Sequence, residues 1–410
     1  MKSGICLKMA GFPKIVWVCT VIVIRPSQFP INCWEIIKNM VNIIAEIGTS
    51  HEGSLEKAKL LVDAATESGA NTIKFQWVYA GEILHPDTGF VKLPTGNIPL
   101  YERFRQLECD KSFYIQMQDY VRSKGCKFCC SPFGLRSMQE LLSIKPDIVK
   151  IASPELNHYK MLHLLADYRA KQPDGEKVPV VISSGVSKLA DIEKAIEILG
   201  REGVSLLHCI TSYPAPEEEY NLKVITNLMA IFGVQTGVSD HSLDPILVPC
   251  LSVLCGGTII EKHITLSRQT DGLDDPVALE PEQFALMCHT VGQTEASLRH
   301  YGSQLAFERA IDQLSQQFGK EKVLACLGNG VKELAPAELA NYERTNRSLH
   351  YMKALKAGQK ITEDDVGILR TEKVLTPGCG PEFYDLLLGK RLTKDVQNGS
   401  GVQLSDFVLL

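Results

Sequence analysis

Charged and hydroxyl-bearing residues recur where apolar runs end: Glu46, Lys74 with Gln76, Ser131, Lys150 with Ser153 and Glu155, Ser183, Thr211 with Tyr213, Ser239 with His241, and His263. Two lysines among several hydroxyls suit a phosphate or a carboxylate. Two histidines, beside Asp240 and Glu261, suit a divalent metal. A plainer reading exists for each part. Glu46 and Lys74 could be a buried ion pair joining two strands, and a single histidine could be an ordinary core residue. Polar ends on every strand are harder to read as core.

The elements that must position these residues are short apolar strands at 42–48, 71–76, 126–131, 147–153, 178–184, 205–209, 233–239 and 257–263. Helical stretches such as 189–202 and 244–255 lie between them. Continuous apolar strands alternating with helices predict a parallel sheet. Eight such units in roughly 260 residues predict an α/β fold of the (β/α)₈ TIM-barrel type, in which C-terminal strand ends line the site. No Gly-x-Gly-x-x-Gly turn follows the first strand, which disfavours an open dinucleotide-binding sheet.

Nine short motifs stand in one order: Glu46-Ile47-Gly48, His51-Glu52-Gly53, Lys74-Phe75-Gln76, Ser131-Pro132-Phe133, Lys150-Ile151-Ala152-Ser153, Ser183-Ser184-Gly185, Tyr213-Pro214, Ser239-Asp240-His241 and Glu261-Lys262-His263. In this the chain closely resembles the sialic acid synthases, which make nonulosonic acids, from about Val41 to the C-terminus. The resemblance implies condensation of phosphoenolpyruvate with an open-chain N-acylamino sugar, N-acetylmannosamine or a 2,4-diacetamido-trideoxyhexose, giving a nonulosonic acid and phosphate. It implies a divalent metal on His241 and His263, manganese foremost, with magnesium or another ion as the alternative. Lys74 and Lys150 would neutralise the phosphate and carboxylate, with Ser131, Ser153, Ser183 and Thr211 as donors and Ser239 beside them. Glu46 and Glu155 would hold water or sugar hydroxyls, one of them as general acid or base. Gln76 would lie near the metal, Tyr213 near the acyl group, and Asp274 would face the sugar.

Three positions depart from the family pattern. Thr211 stands where relatives carry Asn or Ser, and its hydroxyl can still donate. Asp275 replaces a frequent His, in the sugar-binding part. Thr376, before Pro377-Gly378-Cys379-Gly380, occupies the place of an arginine that reaches the sugar, for which Arg370 is the nearest substitute. Two rival readings are a related synthase acting on a phosphosugar, with Arg268 and Lys262 as extra cations, and an inactive sugar-binding barrel.

The synthase barrel is expected over residues 41–301, followed by a linker with a helical insertion at 302–340. Residues 341–410 contain a pseudo-repeat, in which Lys353, Gly358 and Asp365 align with Lys394, Gly399 and Asp406. This segment resembles the antifreeze-like (SAF) domain that ends sialic acid synthases, and the resemblance implies a domain-swapped homodimer. No regular array of threonines supports ice binding. Residues 1–40 fall outside the resemblance and are an extension of unknown role. Their apolar run at 15–24 is too short to span a membrane, and either Met40 is the natural start or residues 1–39 are a dispensable extension.

Composition agrees with a large and a small domain: 410 residues, 45% hydrophobic and 22% charged. A net charge of −5 gives no reason to expect nucleic acid. Thirteen cysteines without a spaced framework, Cys126-Lys127-Phe128-Cys129 included, read as core thiols in a reducing cytoplasm.

Overall fold

The computed structural model describes residues 41–93, 96–270 and 272–407. The expectations for the apolar run at 15–24 and for Met40 lie outside the described residues. Eight parallel strands close a barrel: β1 Asn42–Gly48, β2 Thr72–Trp77, β3 Lys127–Pro132, β4 Ile148–Ile151, β5 Val180–Ser183, β6 Val204–Cys209, β7 Gln235–Asp240 and β8 Ile259–His263. Each is followed by an outer helix, in order α1 Leu55–Glu67, α2 Lys111–Ser123, α3 Leu135–Ser143, α4 Tyr159–Ala170, α5 Leu189–Leu199, α6 Val224–Phe232, α7 Leu247–Leu254 and α8 Pro281–Tyr301. All eight strands expected from the sequence form, with shifts of a residue or two at most ends.

Strand alternation sorts the side chains into two layers. Outward residues such as Ile43, Ala45, Phe75, Phe128, Val149, Ile182 and Leu206 pack under the helices in the main core. Inward, Ile44, Cys129, Ile148, Val181, Leu207 and Ile259 form a separate apolar plug at the floor of the barrel. Each of these fully buried aliphatic chains contributes about 1.5–3 kcal/mol. Two residues beyond Ile44, Cys129, Ile148, Val181 and Ile259 the inward layer turns polar, at Glu46, Ser131, Lys150, Ser183 and Glu261, so these polar strand ends rest on an apolar floor. Gly237 allows close packing here, because a Cβ on it would lie 2.0 Å from the Ile259 carbonyl oxygen.

The stretch expected as a linker differs from that expectation. It forms two helices, α9 Ser303–Phe318 and α10 Lys320–Leu327. Ala306, Leu314, Val323, Cys326 and Leu327 join the barrel's own apolar core. Its apolar stripe is therefore used to extend the barrel's outer layer, and the freer connection is confined to 328–346.

The C-terminal domain pairs β9 Arg347–Tyr351 with β10 Val366–Arg370, antiparallel. The pseudo-repeat has a structural counterpart. Lys353 pairs with Asp365 at 2.7 Å, and Lys394 with Asp406 at 2.8 Å. Each aspartate also accepts from a backbone N–H three residues earlier, Thr362 and Gln403 respectively. Gly358 and Gly399 both take positive φ, 82° and 76°, at the matching turns.

The segment between β2 and α2 contains a hairpin, Phe90–Leu93 with Gly96–Pro99, and its base touches the C-terminal domain. Thr88 Oγ1 donates to Thr371 C=O at 3.0 Å, and Val374 N–H to Thr88 C=O at 3.2 Å. All ten described cysteines are free thiols, and Cys109, Cys126, Cys129 and Cys130 are among the buried ones. Among the described residues no helix is long and apolar enough to cross a membrane.

Candidate active site

Register places the charged residues side by side before any side chain is considered. Glu46 lies opposite His263 on one side and Lys74 on the other, and Glu261 lies opposite Ser239. These residues face inward, above the apolar plug. Lys74 Nζ sits 2.8 Å from Glu46 and 3.3 Å from Glu261, and Lys150 Nζ lies 3.9 Å from the same Glu261. Lys150 also donates to Ser183 Oγ at 2.7 Å and to Ile151 C=O at 3.0 Å. The buried Glu46–Lys74 ion pair thus exists, but as one edge of a larger network.

Burial and charge separate the two carboxylates. Burial raises Glu46 to about 7 against the pull of Lys74, with Glu261 adding to the rise. Glu261 is buried too, but Lys150 and Lys74 outweigh that and hold it at about 2. Burial lowers Lys150, while Lys74, though equally buried, is raised by its two glutamates. The result is one carboxyl group able to exchange a proton near neutrality beside two lysines that share one firmly ionised partner.

The hydroxyls complete an anion-binding wall. Ser131 Oγ and Thr211 Oγ1 are buried and have no hydrogen-bond partner. Ser153 Oγ accepts from Gly185 N–H at 3.0 Å, and Ser239 Oγ donates to Glu261 at 3.0 Å. Gly185 must be glycine in this packing, since a Cβ there would meet Thr211 Oγ1 at 2.1 Å.

Next to this network, beyond the ends of β7 and β8, the His241 and His263 rings lie 5.6 Å apart, with Tyr213 stacked on His241 at 4.2 Å and edge-on to His263 at 6.2 Å. His241 Nδ1 lies 2.8 Å from the Ile210 carbonyl, so Nδ1 carries the hydrogen and Nε2 is left for a ligand. Asp274 Oδ2 lies 3.9 Å from His263 Nδ1. Gln76 Nε2 donates to Glu46 Oε1 at 2.7 Å. Two imidazoles with one adjacent carboxylate are donors that would suit a divalent cation. Among the described residues no group of three His, Cys, Asp or Glu side chains already converges as a cage. Burial lowers His263 to about 4 and keeps it neutral, as a ligand must be. His241 is buried as well, yet neighbouring Cys209 raises it to about 9, so a bound cation would displace its proton.

Several residues stand differently from expectation. Asp240 does not join the histidines: it points outward and pairs with Lys262 at 2.6 Å, where both are buried under the helices. Alternation explains this, because Ser239, Glu261 and His263 take the inward face and leave Asp240 and Lys262 outside. Lys262 is therefore not available to a phosphosugar. Arg268 bonds to Ala278 C=O and Gln283. Asp275 ties loops together, accepting from Ser50 Oγ at 2.5 Å and from Gly272 N–H at 3.1 Å.

The largest difference concerns Glu155. Its carboxylate does not open onto the site, because two arginines of the C-terminal domain take both oxygens. Arg347 Nε donates to Oε2 at 2.5 Å, and Arg370 Nη2 to Oε1 at 2.6 Å. Burial would raise Glu155, but Arg347 and Arg370 hold it below the usual range, which does not suit a general acid. Arg370 accordingly faces Glu155, over the Phe133 ring. Arg347 went unforeseen. It is fully buried and also donates to the carbonyls of Phe133, Glu82 and Ile368.

Comparison with known proteins gives a consistent picture. The NeuB family matches residues 61–302, and the SAF domain matches residues 346–408. The spore coat polysaccharide biosynthesis protein SpsE of Bacillus subtilis is 30% identical, covering 90% of this chain and 94% of its own. Its crystal structure aligns with a TM-score of 0.74 over 91% of this chain and 96% of that one, at 29% identity. A pseudaminic acid synthase of Campylobacter jejuni is 29% identical over 90% of this chain and 96% of its own. An N,N'-diacetyllegionaminic acid synthase of the same species is 28% identical over 86% and 96%.

Proposed function

The chain belongs to the NeuB family, and on that premise we propose that it condenses phosphoenolpyruvate with an open-chain N-acylamino sugar to give a nonulosonic acid and phosphate. One observation carries the reading: the buried, unpartnered hydroxyls of Ser131 and Thr211 lie in a wall that also contains Lys74 and Lys150. Buried donors without partners call for a ligand, and an anion bearing phosphate and carboxylate answers both hydroxyls and lysines.

Lys150, with Ser183 beside it, and Lys74 would neutralise phosphoenolpyruvate, while Ser131, Ser153 and Thr211 donate to its oxygens. C3 of phosphoenolpyruvate attacks the aldehyde carbon, water adds at C2, and phosphate leaves with C–O cleavage. Glu46, held by Lys74 and Gln76, is the residue able to take or give a proton in this sequence. A divalent cation on His241 and His263, manganese foremost, would supply a Lewis acid for the aldehyde oxygen. Tyr213 and Asp274 flank those histidines and would orient the sugar. The charge is arranged before substrate arrives, which is where most of the catalytic effect arises.

The acceptor is N-acetylmannosamine or a 2,4-diacetamido-trideoxyhexose. A homodimer and a cytoplasmic location belong to the same proposal. A swapped dimer would make the Glu155–Arg347 and Glu155–Arg370 contacts between subunits where the single chain makes them within itself. Phosphate release from phosphoenolpyruvate, with each sugar and with phosphorylated N-acetylmannosamine, with manganese or a chelator, tests the reading when product mass is recorded. Metal-dependent release with one unphosphorylated sugar is expected. No release with any sugar, from a folded protein, would overturn it.

A further inference from the structure

The loop after β6 carries Thr211, a donor proposed for the phosphate, and the loop after β5 packs Gly185 against it and against Ser153. Both loops are tied by the same short segment before the C-terminal domain. Glu338 Oε1 accepts from the backbone N–H of Val186 at 2.7 Å and from that of Thr211 at 2.8 Å. Its other oxygen accepts from Ala335 N–H at 3.1 Å, closing its own turn, and the side chain is 1% exposed. Asn341 Nδ2 donates to Thr211 C=O at 2.9 Å, and Asn346 Nδ2 to Val186 C=O at 3.0 Å. The N–H and the C=O of both residues are thus held by side chains of residues 338–346.

Val186 needs holding. Its φ of 43° lies in the left-handed region, which a β-branched residue enters only where its surroundings over-determine it. That turn presses Gly185 against Ser153 and Thr211: Gly185 N–H reaches Ser153 Oγ at 3.0 Å, and Thr211 Oγ1 would touch any Cβ at that position. The spacing of the Ser153 hydroxyl and the unpartnered Thr211 hydroxyl therefore depends on where Val186 and Thr211 are pinned. A hydroxyl on a loop is preorganised only as far as its backbone is fixed.

We propose that Glu338 is a positioning residue of the phosphoenolpyruvate site, with Asn341 and Asn346 completing a clamp that sets the Val186 and Thr211 loops against each other. This rests on the phosphoenolpyruvate reading above. The clamp meets the histidine side at one peptide, Ile210–Thr211, whose carbonyl accepts from His241 Nδ1. Its hold on Val186 bears on the Ser153 and Thr211 hydroxyls, so the larger effect falls on phosphoenolpyruvate.

The test compares the full-length wild type with Glu338→Gln, which keeps shape and one acceptor oxygen but removes the charge that strengthens these bonds. Expected is a fall of about tenfold in kcat/KM for phosphoenolpyruvate, the size of weakening a buried hydrogen bond to a charged group. KM for the sugar stays within about twofold of wild type, a split that general destabilisation would not produce. In hydrogen exchange, the Val186 and Thr211 amides lose protection while those of β1 and β8 keep it. Unchanged kcat/KM for phosphoenolpyruvate, or both amides still protected, overturns the assignment. Should Glu338→Gln lose protection throughout, Asn341→Leu, which removes one bond to Thr211, is held to the same split between substrates. A folded wild type that neither binds nor turns over phosphoenolpyruvate overturns the functional reading and this assignment with it. A competent wild type with an unaffected Glu338→Gln overturns the assignment alone.

Discussion

Glu46 and Glu261 contact the same Lys74 ammonium, at 2.8 and 3.3 Å, yet one carboxyl is raised to about 7 and the other lowered to about 2. The difference lies in the second lysine. Glu261 also faces Lys150, and Glu46 does not. Environments that push two like groups apart in this way assign them different tasks.

Glu46→Gln is expected to lower kcat by about 10²–10⁴, the range for losing a positioned proton-transfer group. KM for phosphoenolpyruvate should change little, because the lysines remain. The pH profile of wild-type kcat/KM should bend near 7, the value to which Glu46 is raised, and that bend should vanish in Glu46→Gln. Steady-state kinetics from pH 5.5 to 9 would read both; a bend that persists removes Glu46 from the proton-transfer role.

Lys150→Met removes the amine that is bonded to Ser183 and leaves Glu261 with Lys74 alone. Phosphoenolpyruvate affinity should fall by about 10²–10³, equivalent to about 3–4 kcal/mol for losing one charge partner in a buried site. Calorimetric titration of phosphoenolpyruvate into the variant checks this. Affinity within a factor of three of wild type would place the phosphate elsewhere.

His263→Ala leaves His241 and Asp274 and should weaken manganese binding by more than the 10–100-fold typical of losing a residue behind a ligand. Electron paramagnetic resonance of added manganese reads the free ion directly. Equal affinities of the variant and wild type would mean that the cation binds without this ring.

Glu155→Ala should destabilise the docking of the C-terminal domain by about 3–5 kcal/mol, because Arg347 is left buried and unpaired. Replacing Glu155 and Arg347 together by Leu and Met should cost less than Glu155→Leu and Arg347→Met summed. Thermal melts of the three variants measure the coupling. Simple additivity would show that the pair contributes nothing beyond its separate side chains.

The same carboxylate gives docking a pH dependence. Glu155 is held below its ordinary value of 4.5, so the folded state releases its proton more readily than the unfolded state does. The contribution is complete above about 4.5 and is lost as pH falls through the depressed folded value. Limited proteolysis at 328–335 should therefore quicken on acidification below pH 4.5 and stay flat from 5 to 8. Cutting that is independent of pH down to 3 would count against the ion pair as the fastening.

The amino-acid sequence by itself determined the barrel and its polar rim. Each strand is an unbroken apolar run ending on a polar residue, and alternation along a strand is a local property with a period of two. It determined the pseudo-repeat for the same reason: Lys353 with Asp365 and Lys394 with Asp406 lie within one short unit each. Where expectation and structure parted, the deciding contact was long-range. The same two-residue alternation, applied to Asp240, Glu261 and Lys262, would have placed Glu261 inside and its neighbours outside, so that signal was present but unused. No local signal marked Glu155 as a fastening point, because its partners lie 192 and 215 residues away. Nor did any mark Glu338, whose bonds to Val186 and Thr211 span 152 and 127 residues. Periodicity reports which face a residue takes on its own element. Only folding decides which buried charges must find one another, since an unpaired charge is tolerated in water and not in the interior.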